Sequence, residues 1–354
     1  MAQQSNSPAG PGQLPSSVAL QRMISGYTTS QVIYVAAKLG LADLLAAGPR
    51  SAAELAAATT CDQASLARFL RAMMPLAIVT ATPDGKFAIG RLGDHLRSDA
   101  AGSLRNFAIH AGEEQYQAWG EALHTVRTGE PAFLKRYGTT FYEHMAANPD
   151  RDSTWNQSMD ETERAWVIEL GLVSSYDWSG VTTVVDIGGG HGILLAAILQ
   201  GNPALRGILY DLPNVVQGAA DLLARDGLQA RCRVLGGDFF ASVPRGGDAY
   251  LLSRVLFNWD DDDALRILAA CRRAMPPGAR LLIIEPIVTG EPTDLASLID
   301  LNVFLVCGGK TRTEAEHRAL LAAAELRFRR LIDTPAAWGI IEAFAEGPRP
   351  TGHR

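Results

Sequence analysis

Three glycines at alternate positions, Gly188, Gly190 and Gly192, follow an apolar run that ends in Asp186, in the stretch TVVDIGGGHG from Thr183 to Gly192. An apolar helical pattern, ILLAAILQ, comes next. Without side chains at such a turn the backbone bends sharply and lies against a ligand while a helix N-terminus points at it. The spacing argues for a nucleotide-like cofactor, yet it fits neither the dinucleotide pattern G-x-G-x-x-G nor the phosphate loop G-x-x-x-x-G-K-[ST]. The third glycine arrives one residue early, and no Lys-Ser/Thr pair follows. Asp186 sets a carboxylate beside the turn, which repels a phosphate and suits a cationic ligand.

More acidic residues close the apolar runs downstream. The run GILY ends at Asp211, the place where a doubly wound fold sets a carboxylate for ribose hydroxyls. Capping the helix after Pro213 is a second use that Asp211 can serve at the same time. RCRVLGGDFF reads as a third strand ending in Asp238 and Phe239. A carboxylate accepts from an exocyclic amine while an aromatic face covers a flat ring, as an adenine requires. DAYLLSRVL leads through Ser253 and Arg254 to Phe257, Asn258 and Trp259, then to a helix from about Asp261. ARLLIIEPIV follows PPG as a fifth strand. Strand, turn and helix repeated in this way specify a doubly wound, parallel α/β sheet with ligands at the strand carboxyl ends.

Other elements precede this sheet. Residues 1–16 are polar and rich in Gly, Pro and Ser, lack the apolar core of a secretory signal, and read as a disordered tail. From about Ser17 to Arg105 the pattern is helical. Val32, Ile33, Val35, Ala36, Leu39, Leu41, Leu44 and Leu45 make an apolar stripe too wide for one half-exposed helix, which implies burial on two sides. SAAELAAA and QASLARFLRAMMPL give two more helices, and IVTATPDGKFAIG a hairpin around Asp84-Gly85. Helix, turn, helix and hairpin form a winged-helix layout, which raises a DNA-binding regulator as an alternative. Only Arg68 and Arg71 in its second helix are basic, a weak electrostatic footprint for DNA.

The pattern D-x-G-x-G-x-G at Asp186 to Gly192 resembles motif I of the S-adenosylmethionine (SAM) dependent methyltransferases. With the N-terminal layout and the motifs at Asp211 and Asp238, nearly the whole chain after the tail resembles the plant-type small-molecule O-methyltransferases. The resemblance is strongest to their bacterial natural-product branch. It implies a class I methyltransferase fold: a winged-helix dimerisation domain over 17–105, a helical lid over 106–178 lining the acceptor pocket, and a SAM-binding catalytic domain over 179–348. By resemblance, the donor contacts fall on Gly188, Asp211, Asp238, Phe239 and Ser253, with Leu212 beside the ribose and Arg254 near the methionine carboxylate. The lid is aromatic, including Tyr142, Trp155 and Trp166, and most of these rings belong to the core. Trp155 and Met159, in WNQSM, match positions beside the donor methyl, where an indole and a thioether suit a planar acceptor.

The expected chemistry departs from most of that family at one point. Its members carry a His two residues before the strand-four Trp to take the acceptor proton, and here that position is Phe257. The carboxylate that steadies such a His corresponds to Thr311, while another acidic position is kept as Glu285. The anthracycline-type members show the same replacement of His, and Asn258 matches their substrate-contacting Asn. Asn302 and Val303, in DLNVF, sit at a further acceptor-facing position. Neither Asn can act as a base near neutrality, so no residue is assigned as general base. Capping of the next helix is the plain alternative for Asn258. His191 reads as positional, whereas His144 and His317 remain candidates to reach the pocket. The expected reaction is methyl transfer to a hydroxyl of an aromatic, polyketide or heteroaromatic acceptor, driven by proximity. A SAM-binding enzyme on the same fold that does not methylate (a hydroxylase, decarboxylase or pericyclase) is the alternative.

Composition sets the outer bounds. With 354 residues and 47% hydrophobic content the chain supports two cores. A net charge of −6 without a Lys/Arg cluster argues against nucleic acid as a partner. Cys61, Cys232, Cys271 and Cys307 form no C-x-x-C pair and suit a reducing cytoplasm. No apolar run approaches a membrane span. Asp260 to Asp263 lie in one helical turn, where they favour the helix dipole and do not converge on a metal.

Overall fold

The computed structural model describes residues 14–165, 171, 173–291, 296–334 and 338–345. Most of the expected tail, Trp166 and residues 346–348 lie outside these. The chain divides into two compact units between Gly112 and Glu113.

In the first unit the wide apolar stripe resolves into two helices, Gly26–Lys38 and Leu41–Ala46. Gly40, at φ +62°, breaks them apart so that Ala36, Ala37, Leu41 and Leu45 reach one core. The helices Ala52–Thr59 and Gln63–Met73 start at side-chain caps, Ser51 in a reciprocal pair with Glu54 and Asp62 on the Ser65 N–H. Leu55, Leu66, Leu70 and Met73 complete the core. Strands β1 (Val79–Ala81) and β2 (Phe87–Ile89) pair antiparallel across the Asp84-Gly85 turn, with Gly85 at φ +78°. This is the winged-helix layout read from the sequence.

The second unit opens with short helices and the longer helix Pro149–Glu163, then builds a seven-stranded sheet. Its strands are β3 (Thr183–Ile187), β4 (Arg206–Asp211), β5 (Cys232–Gly236), β6 (Ala249–Ser253), β7 (Arg280–Pro286), β8 (Leu326–Asp333) and β9 (Trp338–Ala345). The order is β5-β4-β3-β6-β7-β9-β8. The first five are parallel, as expected, but β9 runs antiparallel between β7 and β8, so the sheet is mixed. A hairpin from β8 to β9 can only reverse direction, and β9, buried on both faces, carries no sign of orientation in its composition. Alternating residues bury on opposite faces: Val185, Tyr250 and Leu252 in one core layer, Val184, Ala249 and Leu251 in the other. The chain winds from β3 to β4 and β5 on one side and from β6 to β7 on the other. The switch point thus lies between β3 and β6, where such sheets bind ligands.

Candidate active site

A cavity of about 400 Å³ opens at the carboxyl ends of β3, β4 and β6, walled on another side by the helix Pro149–Glu163. Its floor is the glycine turn, with Gly188, Gly190 and Gly192 at φ +68°, +58° and +83°. Gly189, which alternate spacing does not single out, is the tightest. A Cβ there would stand 2.6 Å from Asp186 Cγ and 2.7 Å from Leu209 Cδ1. Asp186 is buried beneath the turn, and neither carboxylate oxygen has a hydrogen-bond partner among the described residues. Burial pushes its carboxyl well above the ordinary range, and the nearby Glu163 and Asp211 push the same way.

Asp211, at the end of β4, accepts from the Gly190 N–H (2.8 Å) and the Leu212 N–H (2.6 Å). Burial raises its proton affinity and those two N–H groups oppose the rise. The helix after Pro213 has no side-chain cap, so the capping alternative for Asp211 does not hold. Asp238 lies just beyond β5 and accepts from the Phe240 N–H (2.8 Å), while Phe239 sits edge-on to Trp259. Gly188, Asp211, Leu212, Asp238, Phe239, Ser253 and Arg254 all line the cavity. Arg254 is held at φ +58°, and its guanidinium donates to the Met159 carbonyl (3.1 Å) and the Thr162 hydroxyl (2.9 Å). These bonds tie it to the neighbouring helix.

Trp155, Met159 and Asn258 line the cavity as well, joined by Tyr142 and Trp259, whose rings stack at 5.1 Å and 10°. Asn258 donates to the Arg254 carbonyl (3.0 Å), and Asp260 caps the following helix through the Asp263 N–H. Asn258 is therefore not that cap. Three residues expected to face the acceptor are not among the lining residues. Phe257 is buried, with its N–H on Glu285 (3.1 Å) and its carbonyl accepting from the Lys310 N–H (2.9 Å). Asn302 accepts from the Trp119 indole N–H (2.9 Å). Val303 is buried. Gly309 explains how the Phe257–Asn258 backbone packs so closely: a Cβ there would meet the Phe257 carbonyl at 2.2 Å.

The histidines sort differently from expectation. His317 is fully buried, with Nε2 3.1 Å from Glu285 Oε1, so Glu285 has an imidazole beside it even though Phe257 supplies none. Neither lines the cavity, and neither does His144, which packs against Tyr137. His191 does line it, with Nδ1 2.6 Å from Asp160. Asp160 and Glu163, one turn apart at the end of the helix, also face the cavity. Their spacing after Met159 carries that signal in the sequence. The acidic run does local work: Asp261 pairs with Arg312 and Lys310, Asp263 with Arg266.

The O-methyltransferase domain family matches residues 119–327, and the O-methyltransferase dimerisation domain residues 21–95. The phenazine O-methyltransferase PhzM of Lysobacter antibioticus is 42% identical over 94% of this chain and 97% of its own length. The crystal structure of LaPhzM superposes with a TM-score of 0.90 at 42% identity, over 94% of this chain and 99% of that one. An O-methyltransferase from neocarzinostatin biosynthesis, solved with SAM and 2-hydroxy-5-methyl naphthoic acid, superposes at 0.76 with 34% identity over 90% and 96%. These relatives carry no support for the non-methylating alternative. The chain belongs to the O-methyltransferase family: it is a SAM-dependent methyltransferase of the class I fold with that family's dimerisation domain at its N-terminus.

Proposed function

We propose that the enzyme methylates a hydroxyl of an aromatic acceptor, of the polyketide or heteroaromatic natural-product kind, by placing acceptor and donor together without a histidine base. The observation that carries this reading is a single cavity lined by two chemically distinct sets of residues. One set is Gly188, Asp211, Asp238 and Ser253, and the other Tyr142, Trp155, Met159 and Asn258. SAM supplies a methyl group on a sulfonium, displaced as a neutral thioether. The first set fits that donor. Asp186 keeps two unpartnered oxygens beneath the turn, and at Gly190 nothing lies within 4 Å of a Cβ position, which leaves room for a ligand against the backbone. Asp211 and Leu212 are the ribose anchors in this reading, Asp238 and Phe239 the adenine contacts, and Ser253 and Arg254 the methionine end. Asp211 retains acceptor capacity after its two backbone bonds, since a carboxylate has about four lone-pair sites.

Trp155, Met159 and Asn258 orient the acceptor ring and its oxygen. Phe257, Asn302 and Val303 act behind that wall, by fixing its backbone and the neighbouring helix. Holding nucleophile and methyl at near-attack distance supplies roughly 7–11 kcal/mol in ideal cases, whereas a general base contributes about 100- to 10,000-fold, or roughly 3–5 kcal/mol. An acceptor that ionises near neutral pH, such as a hydroxyquinone or an electron-poor hydroxylated heterocycle, needs little of the latter, unlike a phenol of pKa about 10.

We place the domain division at 17–105, 106–178 and 179–348 and read the enzyme as a cytoplasmic homodimer. The exposed apolar face of Leu20, Met23, Ile24 and Tyr27 supports pairing, and four unpaired cysteines support a reducing compartment. No helix among the described residues is long and apolar enough to cross a membrane. The test is product mass after incubation with SAM and candidate hydroxylated aromatics. A product heavier by one methylene supports the reading, and turnover that leaves SAM unconsumed overturns it.

A further inference from the structure

Glu163 stands where the helix Pro149–Glu163 ends against the glycine turn, and neither the donor contacts nor the acceptor wall described above include it. Its side chain is half-buried and lines the cavity. The Ser253 hydroxyl, at 3.4 Å, is its one hydrogen-bond partner among the described residues. The groups around it are Asp160 and Arg164 on its own segment, Arg254 after β6, and Asp186 at the end of β3. Arg254 directs its guanidinium hydrogen bonds to Met159 and Thr162 and acts on Glu163 through its charge. Glu163 and the unpartnered Asp186 thus crowd one another, and neither has a hydrogen-bonded counter-ion among the described residues.

We propose that Glu163 is a donor-binding residue: its carboxylate receives the cationic end of the donor and releases its own proton to solvent as the donor enters. This rests on the donor-site reading given above. A carboxylate crowded by like charge holds a proton until an opposite charge arrives. Burial, more than the neighbouring Asp160, pushes the Glu163 carboxyl up to about 7, against the pull of Arg254. Part of the population therefore holds this proton near neutral pH before the donor binds. Below pH 7 donor binding must displace that proton, so affinity weakens as pH falls. Two cationic groups of the donor suit the Glu163 carboxylate, the α-ammonium and the sulfonium, and S-adenosylhomocysteine retains only the first.

The test is calorimetry of SAM and S-adenosylhomocysteine on full-length wild type and Glu163→Gln, in buffers of different ionisation enthalpy. Near pH 7 wild type is expected to release a measurable fraction of a proton more than the variant on binding SAM. Glu163→Gln should also weaken SAM about tenfold at pH 7.5, because the amide cannot replace a charge-assisted hydrogen bond to a cation. A weakening shared by both ligands assigns Glu163 to the ammonium, and one confined to SAM assigns it to the sulfonium. Equal proton release and equal affinity in the two proteins overturn the proposal. Should the variant fail to fold, absence of proton release by wild type between pH 6 and 7 overturns it as well. Asp211→Ala separates the two readings: a weakened Asp211 variant beside an unaffected Glu163 variant leaves the donor site standing and removes Glu163 from it.

Discussion

Both oxygens of Asp211 are engaged by backbone N–H groups, one from the glycine turn, so the side chain holds the turn's shape while facing the cavity. Asp211→Ala is expected to weaken SAM binding by roughly tenfold to hundredfold, the range for a hydrogen bond to a charged group, and unchanged calorimetric affinity contradicts the ribose role. Asn258→Ala should slow turnover about tenfold and leave SAM affinity unchanged, because its side chain lines the cavity and Asp260 already caps the next helix. A wild-type rate would remove Asn258 from the acceptor wall. Phe257→His should retain activity, since the Glu285 contact is made by the backbone N–H of that residue. Complete loss would mean that the ring itself shapes the pocket. The places of Asp211 and Asp238 at the cavity are legible in the sequence because a strand end fixes where its side chain points. Phe257 is not legible in the same way: sequence gives its place after β6 but not the rotation that buries it.

At the scale of elements, the glycine turn and the helix beside it carry the site. Gly189→Ala should cost roughly 1–3 kcal/mol by overpacking against Asp186 and Leu209. Gly190→Ala meets nothing within 4 Å and should cost only the backbone strain of a positive φ, about 1 kcal/mol. Denaturant melts that rank the two the other way would contradict this account of the turn. The same turn is clasped to the Pro149–Glu163 helix by His191 and Asp160. The hydrogen bond to Asp160 raises the His191 proton affinity above its ordinary 6.5, against burial. The pair's contribution to stability is therefore complete below pH 6.5 and is lost as pH rises through the raised value. Asp160→Asn should bring the imidazole titration, followed by NMR, down toward its ordinary value, and an unmoved titration contradicts the clasp. Alternating glycines make the turn visible in sequence. The need for glycine at Gly189 arises from Asp186 and Leu209, which only the folded register of β3 on β4 brings to it.

For the whole molecule, the N-terminal unit exposes Met23 and Ile24 on a dimerisation domain, so equilibrium sedimentation should give a dimer, and Met23→Asp with Ile24→Asp a monomer. A wild-type monomer at micromolar concentration contradicts the pairing. Five parallel strands and the winged-helix layout are legible from periodicity and glycine placement. The reversed β9 is not, because Trp338–Ala345 is buried on both faces and reads the same in either direction. In the proposed function, placement with an acceptor that ionises by itself replaces a general base. This is tested most directly by the single-turnover rate of methyl transfer against pH, at saturating SAM, for two acceptors whose hydroxyls differ in pKa. The midpoint of the rise is expected to move with the acceptor's pKa; a midpoint that stays fixed for both acceptors would show an enzyme base and contradict the proposed function.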